Sequence, residues 1–233
     1  MGRLLDFLVR AATNLQQVGV QLSPVPPGAA DSFLKFSAGV IHVGANTGQE
    51  RDLYAQHGLR VVWIEPIPEI YNDLLANIRG FSDQIAIKAL ITDLNDKEYD
   101  LHVASNDGAS SSILELHHHY DIWPQIHYVR DVRLKSSTLP TALEAGGIDF
   151  QSYDSLVIDT QGSELQVLAG AADILPHFKW IKTEAADFEA YKRCTTVSEL
   201  TEYLRRFDFR ILQKERFATR AQGGAYYDIL FGR

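Results

Sequence analysis

Val40-Ile41-His42-Val43-Gly44-Ala45-Asn46-Thr47-Gly48 and, shortly after it, Val61-Val62-Trp63-Ile64-Glu65-Pro66 decide how this chain is read. The first apolar run reads as a strand, and Gly44, Asn46 and Gly48 turn the backbone sharply at its end. A short helical stretch follows, then a second apolar run that stops on an acid. Glu65 stands about 20 residues past the turn, where the acid that accepts from a ribose sits in nucleotide-binding βαβ units. Strand, backbone-exposing turn, helix and acid-tipped strand make half of a nucleoside pocket. The turn lacks the trailing Lys-Ser/Thr of an ATP-type phosphate loop. It also departs from Gly-x-Gly-x-x-Gly, which weakens a dinucleotide reading.

The rest of the chain continues the alternation. A helix is expected over Gln49–Gln56, a strand over Arg60–Ile64, and a helix over Pro68–Arg79 that Pro68 opens and Gly80 stops. Ile85–Ile91 and Tyr99–Ala104 read as strands. Ser155–Asp159 is a buried strand, and Ser163–Leu175 a helix that closes before Pro176. Trp180–Glu184, Thr196–Phe207, Phe209–Gln213 and Ala225–Phe231 follow as strand, helix, strand and strand. This predicts an α/β fold, a mostly parallel sheet with helices on both faces and an antiparallel C-terminal hairpin at one edge.

Asp159, in Leu156-Val157-Ile158-Asp159-Thr160-Gln161-Gly162-Ser163-Glu164, ends its strand on the side where Gly44 and Glu65 end theirs, so all three are expected to share one crevice. Glu184 is a further acidic strand end. Asn106–Arg133 is the least regular segment. It carries Ser110, Ser111, Ser112, His117, His118, His119, Tyr120, Trp123, His127 and Tyr128, a mixture suited to a polyol. Adjacent histidines cannot all converge on one ion, and no cysteine or spaced carboxylate set accompanies them, so no metal is expected. His119 is carried as a candidate general base.

Composition sets the outer limits. The chain has 233 residues, 45% hydrophobic and 22% charged, enough for one domain with a full core. A formal net charge of −8 argues against a nucleic-acid surface. Cys194, the single cysteine, has no internal disulfide partner, so a reducing, cytoplasmic setting is expected. Leu4, Leu8, Ala11, Ala12 and Leu15 are spaced as the apolar face of a helix that packs on the domain, a partner or a second copy. Charges interrupt that run, so neither a secretory signal nor a spanning helix is expected. Pro24, Pro26, Pro27 and Gly28 break the chain next. The expected organisation is an N-terminal helix and linker over 1–36 and one domain over 37–233, with an acceptor lid at about 106–135.

His42 through Gly48, Ile64-Glu65-Pro66, Ile158 through Glu164 with Val167-Leu168-Ala169-Gly170-Ala171, and the strand ending at Glu184 resemble, in that order, the FkbM-type methyltransferases. The resemblance covers about 37–232. It implies a Rossmann-like class I methyltransferase fold with a seven-stranded sheet, S-adenosylmethionine as cofactor, and methylation of a hydroxyl on a sugar, glycan or small natural product. On that resemblance Gly44, Asn46 and Gly48 surround the methionine part of the cofactor, Glu65 meets the ribose, and Asp93 lies near the adenine. His42, Ala45, Pro66 and Asp159 complete the cofactor set, while Asp159 and Glu184 are also candidates for base or acceptor orientation. Two positions depart from the family pattern. His42 stands where an Asp is usual, and Pro140 stands where an Asp commonly follows Thr-Leu. They keep open a non-catalytic relative that binds the cofactor or a glycan. A nicotinamide-dependent oxidoreductase would need a third glycine and a Tyr-x-x-x-Lys set, and neither is evident.

Overall fold

In the computed structural model, residues 30–233 are described, and the expected N-terminal helix and most of the Pro-rich stretch lie outside them. The β-branched and aromatic runs become strands β1 (Gly39–Val43), β2 (Arg60–Ile64), β3 (Gln84–Ile87), β7 (Ser155–Ile158), β8 (Trp180–Ala186), β9 (Arg210–Thr219) and β10 (Ala225–Gly232). They form one sheet in the order β3-β2-β1-β7-β8-β10-β9. β1, β2, β3, β7 and β8 pair in parallel, and β10 runs antiparallel to both its neighbours. The expected hairpin is present, but β10 lies inside the sheet and β9 forms the edge.

Pleating divides the side chains between two cores. Ile41, Val43, Val62, Ile64, Leu156 and Ile158 face α3 (Leu139–Ala145), α4 (Glu164–Gly170) and α5 (Val197–Arg205). Val40, Val61, Trp63 and Val157 face α1 (Arg51–Gln56) and α2 (Pro68–Ile78). Helices therefore cover both faces. Trp63 is fully buried, its indole N–H donates to Gln84 Oε1 at 3.1 Å, and its burial contributes about 2–3 kcal/mol. Phe33 and Leu34, in the 3-10 turn Ser32–Phe36, join the second core, so the last residues of the expected linker segment pack onto the sheet.

Three expectations need correction. Ile85–Ile91 is not one strand: β3 ends at Ile87, and β4 (Leu90–Ile91) joins a separate three-stranded sheet ordered β4-β6-β5, with β5 (Glu98–Ala104) and β6 (Tyr128–Ser137) antiparallel. This sheet packs through Leu90, Leu101 and Val103 on Ile67 and Ile70 at the start of α2. The irregular segment consequently ends at His127, and 128–133 is strand. The helix expected over Ser163–Leu175 ends as α4 at Gly170, where Thr92 presses on it; a Cβ on Gly170 would lie 2.1 Å from the Thr92 carbonyl oxygen.

Candidate functional site

Parallel pairing brings the ends of β1, β2, β7 and β8 to one edge of the sheet. Gly44 and Ala45 both donate their main-chain N–H to the Ile64 carbonyl, at 3.0 and 3.1 Å, and Asp159 donates its own to Val43 at 2.9 Å. The backbone at Gly44 lies against Asp159 so closely that a Cβ would stand 1.8 Å from the Asp159 carbonyl oxygen. Gly44 also has φ 85°, and Asn46 adopts a left-handed φ of 45°, which asparagine tolerates better than most residues. The turn, Glu65 and Asp159 are thus brought together as expected. Helix α1 begins only at Arg51, two residues later than expected, so turns rather than helix follow the glycines.

Glu65 is 4% exposed and is fixed by the turn it was expected to serve. Oε2 accepts from the Asn46 main-chain N–H and Oε1 from that of Ile67, each at 2.9 Å. Burial raises its pKa to about 7 against these two bonds, with Asp159 adding to the rise. Glu65→Gln puts an amide N–H₂ against one of those two donors. We expect S-adenosylhomocysteine binding to weaken by about tenfold or more, and calorimetry showing unchanged affinity would remove Glu65 from the site.

Across the neighbouring strands the register aligns acids. Glu184 lies directly opposite Asp228 in the β8–β10 pair, and Thr183 opposite Ile158 places Glu184 level with Asp159. Asp228 was missed in the sequence because its neighbour is set by strand pairing, not by spacing. Burial, then Asp159 and Asp228, push the Glu184 carboxyl well above the usual carboxylate range. Asp159 is raised to about 6, chiefly by burial. Burial also lifts Glu50 and Glu164 to about 7. Lys182 opposes this negative field and pairs with Asp31 at 2.6 Å. Such a crevice suits a cation or a neutral polyol and repels phosphates. Among the described residues no group of three or more His, Cys, Asp or Glu side chains is placed to hold a metal ion.

Asp159 is further tied to the loop after β7. Gln161 Nε2 donates to Asp159 Oδ1 at 2.5 Å, and the Tyr191 hydroxyl donates to Gln161 Oε1 at 2.7 Å. Gln161, Tyr191, Glu164, Glu184, Cys194 and Tyr226 are among the residues that line a small cleft beside this link, with about 20 Å³ of free space, room for one water molecule. The Tyr226 hydroxyl is buried there without a hydrogen-bond partner among the described residues. Cys194 is buried too, and burial raises its thiol, in keeping with a packing role.

Other expected site residues fall elsewhere. His42 is 5% exposed and points into the second core, its ring 5.0 Å from that of Trp63 and its Nδ1 sharing a 3.2 Å hydrogen bond with the Tyr54 hydroxyl. Burial, and then Lys182, lower its pKa to about 3 and keep it neutral. The structure gives it a packing position beneath the turn. Introducing the family's acid, His42→Asp, should cost about 1–3 kcal/mol in urea unfolding and leave cofactor affinity no tighter; a stabilised protein would contradict this.

Ala45 is buried in the same core and offers only backbone to the crevice, whereas Pro66 is half-buried directly after Glu65. Asp93 is exposed, and its backbone lies against Gly170 at the far end of α4, not beside the glycine turn. Pro140 occupies the first turn of α3, where its missing N–H costs nothing. His119 is 2% exposed, packs at a tilt against Trp123 at 4.8 Å and Tyr191 at 5.3 Å, and does not line the cleft. Burial lowers its pKa to about 4. His117 and His118 lie against each other at a tilt, ring centroids 4.0 Å apart, and face Glu189 and Asp121. Much of the segment's aromatic surface, including Trp123 and Tyr128, packs inward against Tyr191 and Tyr226, and Tyr120 is the aromatic left exposed.

The Methyltransferase FkbM domain family matches residues 42–211. The chain belongs to that family. Its domain is a methyltransferase domain. A 2-O-methyltransferase named NoeI, from Sinorhizobium fredii (strain NBRC 101917 / NGR234), is 24% identical over 161 residues, which are 66% of this chain and 65% of that protein. The chain therefore spans somewhat less than two thirds of that relative. Among solved structures, magnesium protoporphyrin IX methyltransferase from Synechocystis PCC 6803 with bound SAM is 11% identical, with a TM-score of 0.49 over 88% of this chain and 77% of that one. Fibrillarin from Aeropyrum pernix, in complex with S-adenosyl-L-methionine, is 13% identical, with a TM-score of 0.41 over 83% and 65% of the two chains. Among the described residues, no helix is long and apolar enough to cross a membrane.

Proposed function

We propose that this protein methylates a hydroxyl of a sugar, glycan or small hydroxylated natural product, with Asp159 as the general base. The observation that carries the reading is the row of Asp159 and Glu184 at adjacent strand ends, beside a glycine turn held by Glu65. The residues fit the cofactor. A Glu65 carboxylate suits a ribose diol, the acidic crevice suits a sulfonium and an ammonium, and the close approach of Gly44 to Asp159 leaves no side chain in the way.

S-adenosylmethionine, when bound, supplies a methyl group already activated on a positive sulfur. What remains for the chain is to align the acceptor, exclude water and take up a proton. A hydroxyl is a poor nucleophile near neutral pH. Asp159, at about 6, is ionised there yet basic enough to receive the hydroxyl proton as the oxygen gains its methyl. Glu184, level with Asp159 on the adjacent strand, is placed to hydrogen-bond and orient the acceptor. The loop over 106–127 serves as the acceptor-side cover, seated on the loop after β8 by the Leu116–Tyr191 bridge.

An oxygen acceptor is supported by the relative named as a 2-O-methyltransferase. The acidic crevice speaks against a nucleic-acid acceptor and against a nicotinamide dinucleotide with its pyrophosphate. A binding-only role loses ground as well, because His42 and Pro140, the two departures from the family, sit in packing and helix-start positions. The protein is assayed with methyl-labelled S-adenosylmethionine against mixed glycans and small hydroxylated metabolites, alongside calorimetry with S-adenosylhomocysteine and NAD. Label in an ether-linked methyl of a polyol supports the reading. Failure to bind S-adenosylhomocysteine, or label confined to nitrogen acceptors, would overturn it.

A further inference from the structure

Gln161 holds its backbone at φ 55°, a left-handed conformation that a glutamine adopts only at a cost of about 1 kcal/mol. Three contacts hold it there. Its side-chain Nε2 donates to Asp159 Oδ1, its Oε1 accepts from the Tyr191 hydroxyl, and its main-chain carbonyl accepts from Ser112 Oγ at 2.8 Å. A carboxylate can only accept, so the amide must present its N–H₂ to Asp159. That leaves the amide oxygen for Tyr191, whose buried hydroxyl keeps its proton and donates. The chemistry of the two partners fixes which way the amide faces.

We propose that Gln161 is a positioning residue, locked by Tyr191, that grips one carboxylate oxygen of Asp159 and reserves the other for the acceptor hydroxyl. The proposal rests on the reading of Asp159 as base. Among the described residues, Gln161 is the side chain that donates a hydrogen bond to Asp159. Without it Asp159 is left among like charges: Glu50 before α1, Glu65 after β2, Glu164 on α4, Glu184 on β8 and Asp228 on β10, with Lys182 of β8 as the opposing cation. The same link ties the base to the acceptor-side loop. Ser112 belongs to that loop, and Tyr191 pairs with its Leu116.

The test follows Asp159 directly by carbon-13 NMR of carboxyl-labelled aspartate in the full chain, with the resonance assigned by its loss in Asp159→Asn. Two variants are titrated beside the wild type. Tyr191→Phe removes one hydroxyl, and Gln161→Asn tolerates the left-handed backbone while withdrawing the amide by one carbon. Both should raise the Asp159 midpoint, by about 1 pH unit for Gln161→Asn, because the lost bond favours the carboxylate. Turnover on a verified acceptor should fall about tenfold with S-adenosylhomocysteine affinity unchanged. An unchanged midpoint in both variants overturns the proposal, whatever Asp159→Asn does to turnover. Shifted midpoints with normal methyl transfer by Asp159→Asn would overturn the base assignment and leave the amide link standing.

Discussion

Asp159→Asn is expected to lower kcat on a verified acceptor by about 10²–10⁴-fold while the protein still folds and binds S-adenosylhomocysteine. The substitution keeps the shape of the side chain and removes its capacity to take a proton. Asparagine can turn its amide so that its oxygen still accepts from Gln161, so the loop after β7 keeps its contact. In the wild type the base is the ionised form. Its pKa is raised to about 6 by burial, so activity should rise with pH through about 6 and level off above it. The acid limb should vanish in the variant, leaving a low rate that is flat in pH. A variant that transfers methyl groups at the normal rate would end the assignment. Glu184 offers an internal control. It is placed to orient the acceptor and not to take its proton, so Glu184→Gln, which keeps the shape of the side chain, should change KM more than kcat.

Gly44→Ala should be among the most damaging single changes in the domain, costing about 3–5 kcal/mol in urea unfolding. Two physical effects combine. The φ of 85° is strained for any residue with a Cβ, and that Cβ would stand 1.8 Å from a carbonyl oxygen of the backbone, which cannot swing aside as a side chain could. Relief requires β1 and β7 to part at the end where the crevice forms. Cofactor affinity should therefore fall with stability, and a loss below about 1 kcal/mol would show that the strand ends are looser than their hydrogen bonds indicate. Gly48→Ala is milder by the same reasoning, since its Cβ meets the flexible end of Leu74 at 2.8 Å.

Gly44 and Asp159 are both legible in the amino-acid sequence. A glycine ending a doubly buried apolar run, and an acid ending another, mark the carboxyl ends of parallel strands, and parallel strands all end on one side. The turn, Glu65 and Asp159 duly come together. Two other motif residues turn their side chains away from the crevice. His42 and Ala45 sit in the glycine motif, but pleating sends His42 to the face occupied by Trp63 and Tyr54, and Ala45 is buried in the same core. Motif membership says nothing about which side of the sheet a side chain takes. The second sheet was hidden for a different reason. β6 reads Tyr-Val-Arg-Asp-Val-Arg-Leu-Lys-Ser-Ser: its second half alternates from Val132 to Lys135, but Val129, Arg130 and Asp131 are all exposed and break the pattern in the first half.

By itself, the sequence determined the elements whose causes are local: short apolar runs, the glycine turn, the proline helix starts and the acids at strand ends. It therefore determined the fold class and the side of the sheet on which the site lies. Only the tertiary structure decided which acids meet. Asp228 faces Glu184 because an antiparallel strand inserts between β8 and β9, and Gln161 is clamped because Tyr191 returns from a distant loop. Such contacts join residues far apart in the chain, and their register is set by packing across the whole sheet. The electrostatics of the crevice, with burial and neighbouring acids raising both Asp159 and Glu184, follow from that packing.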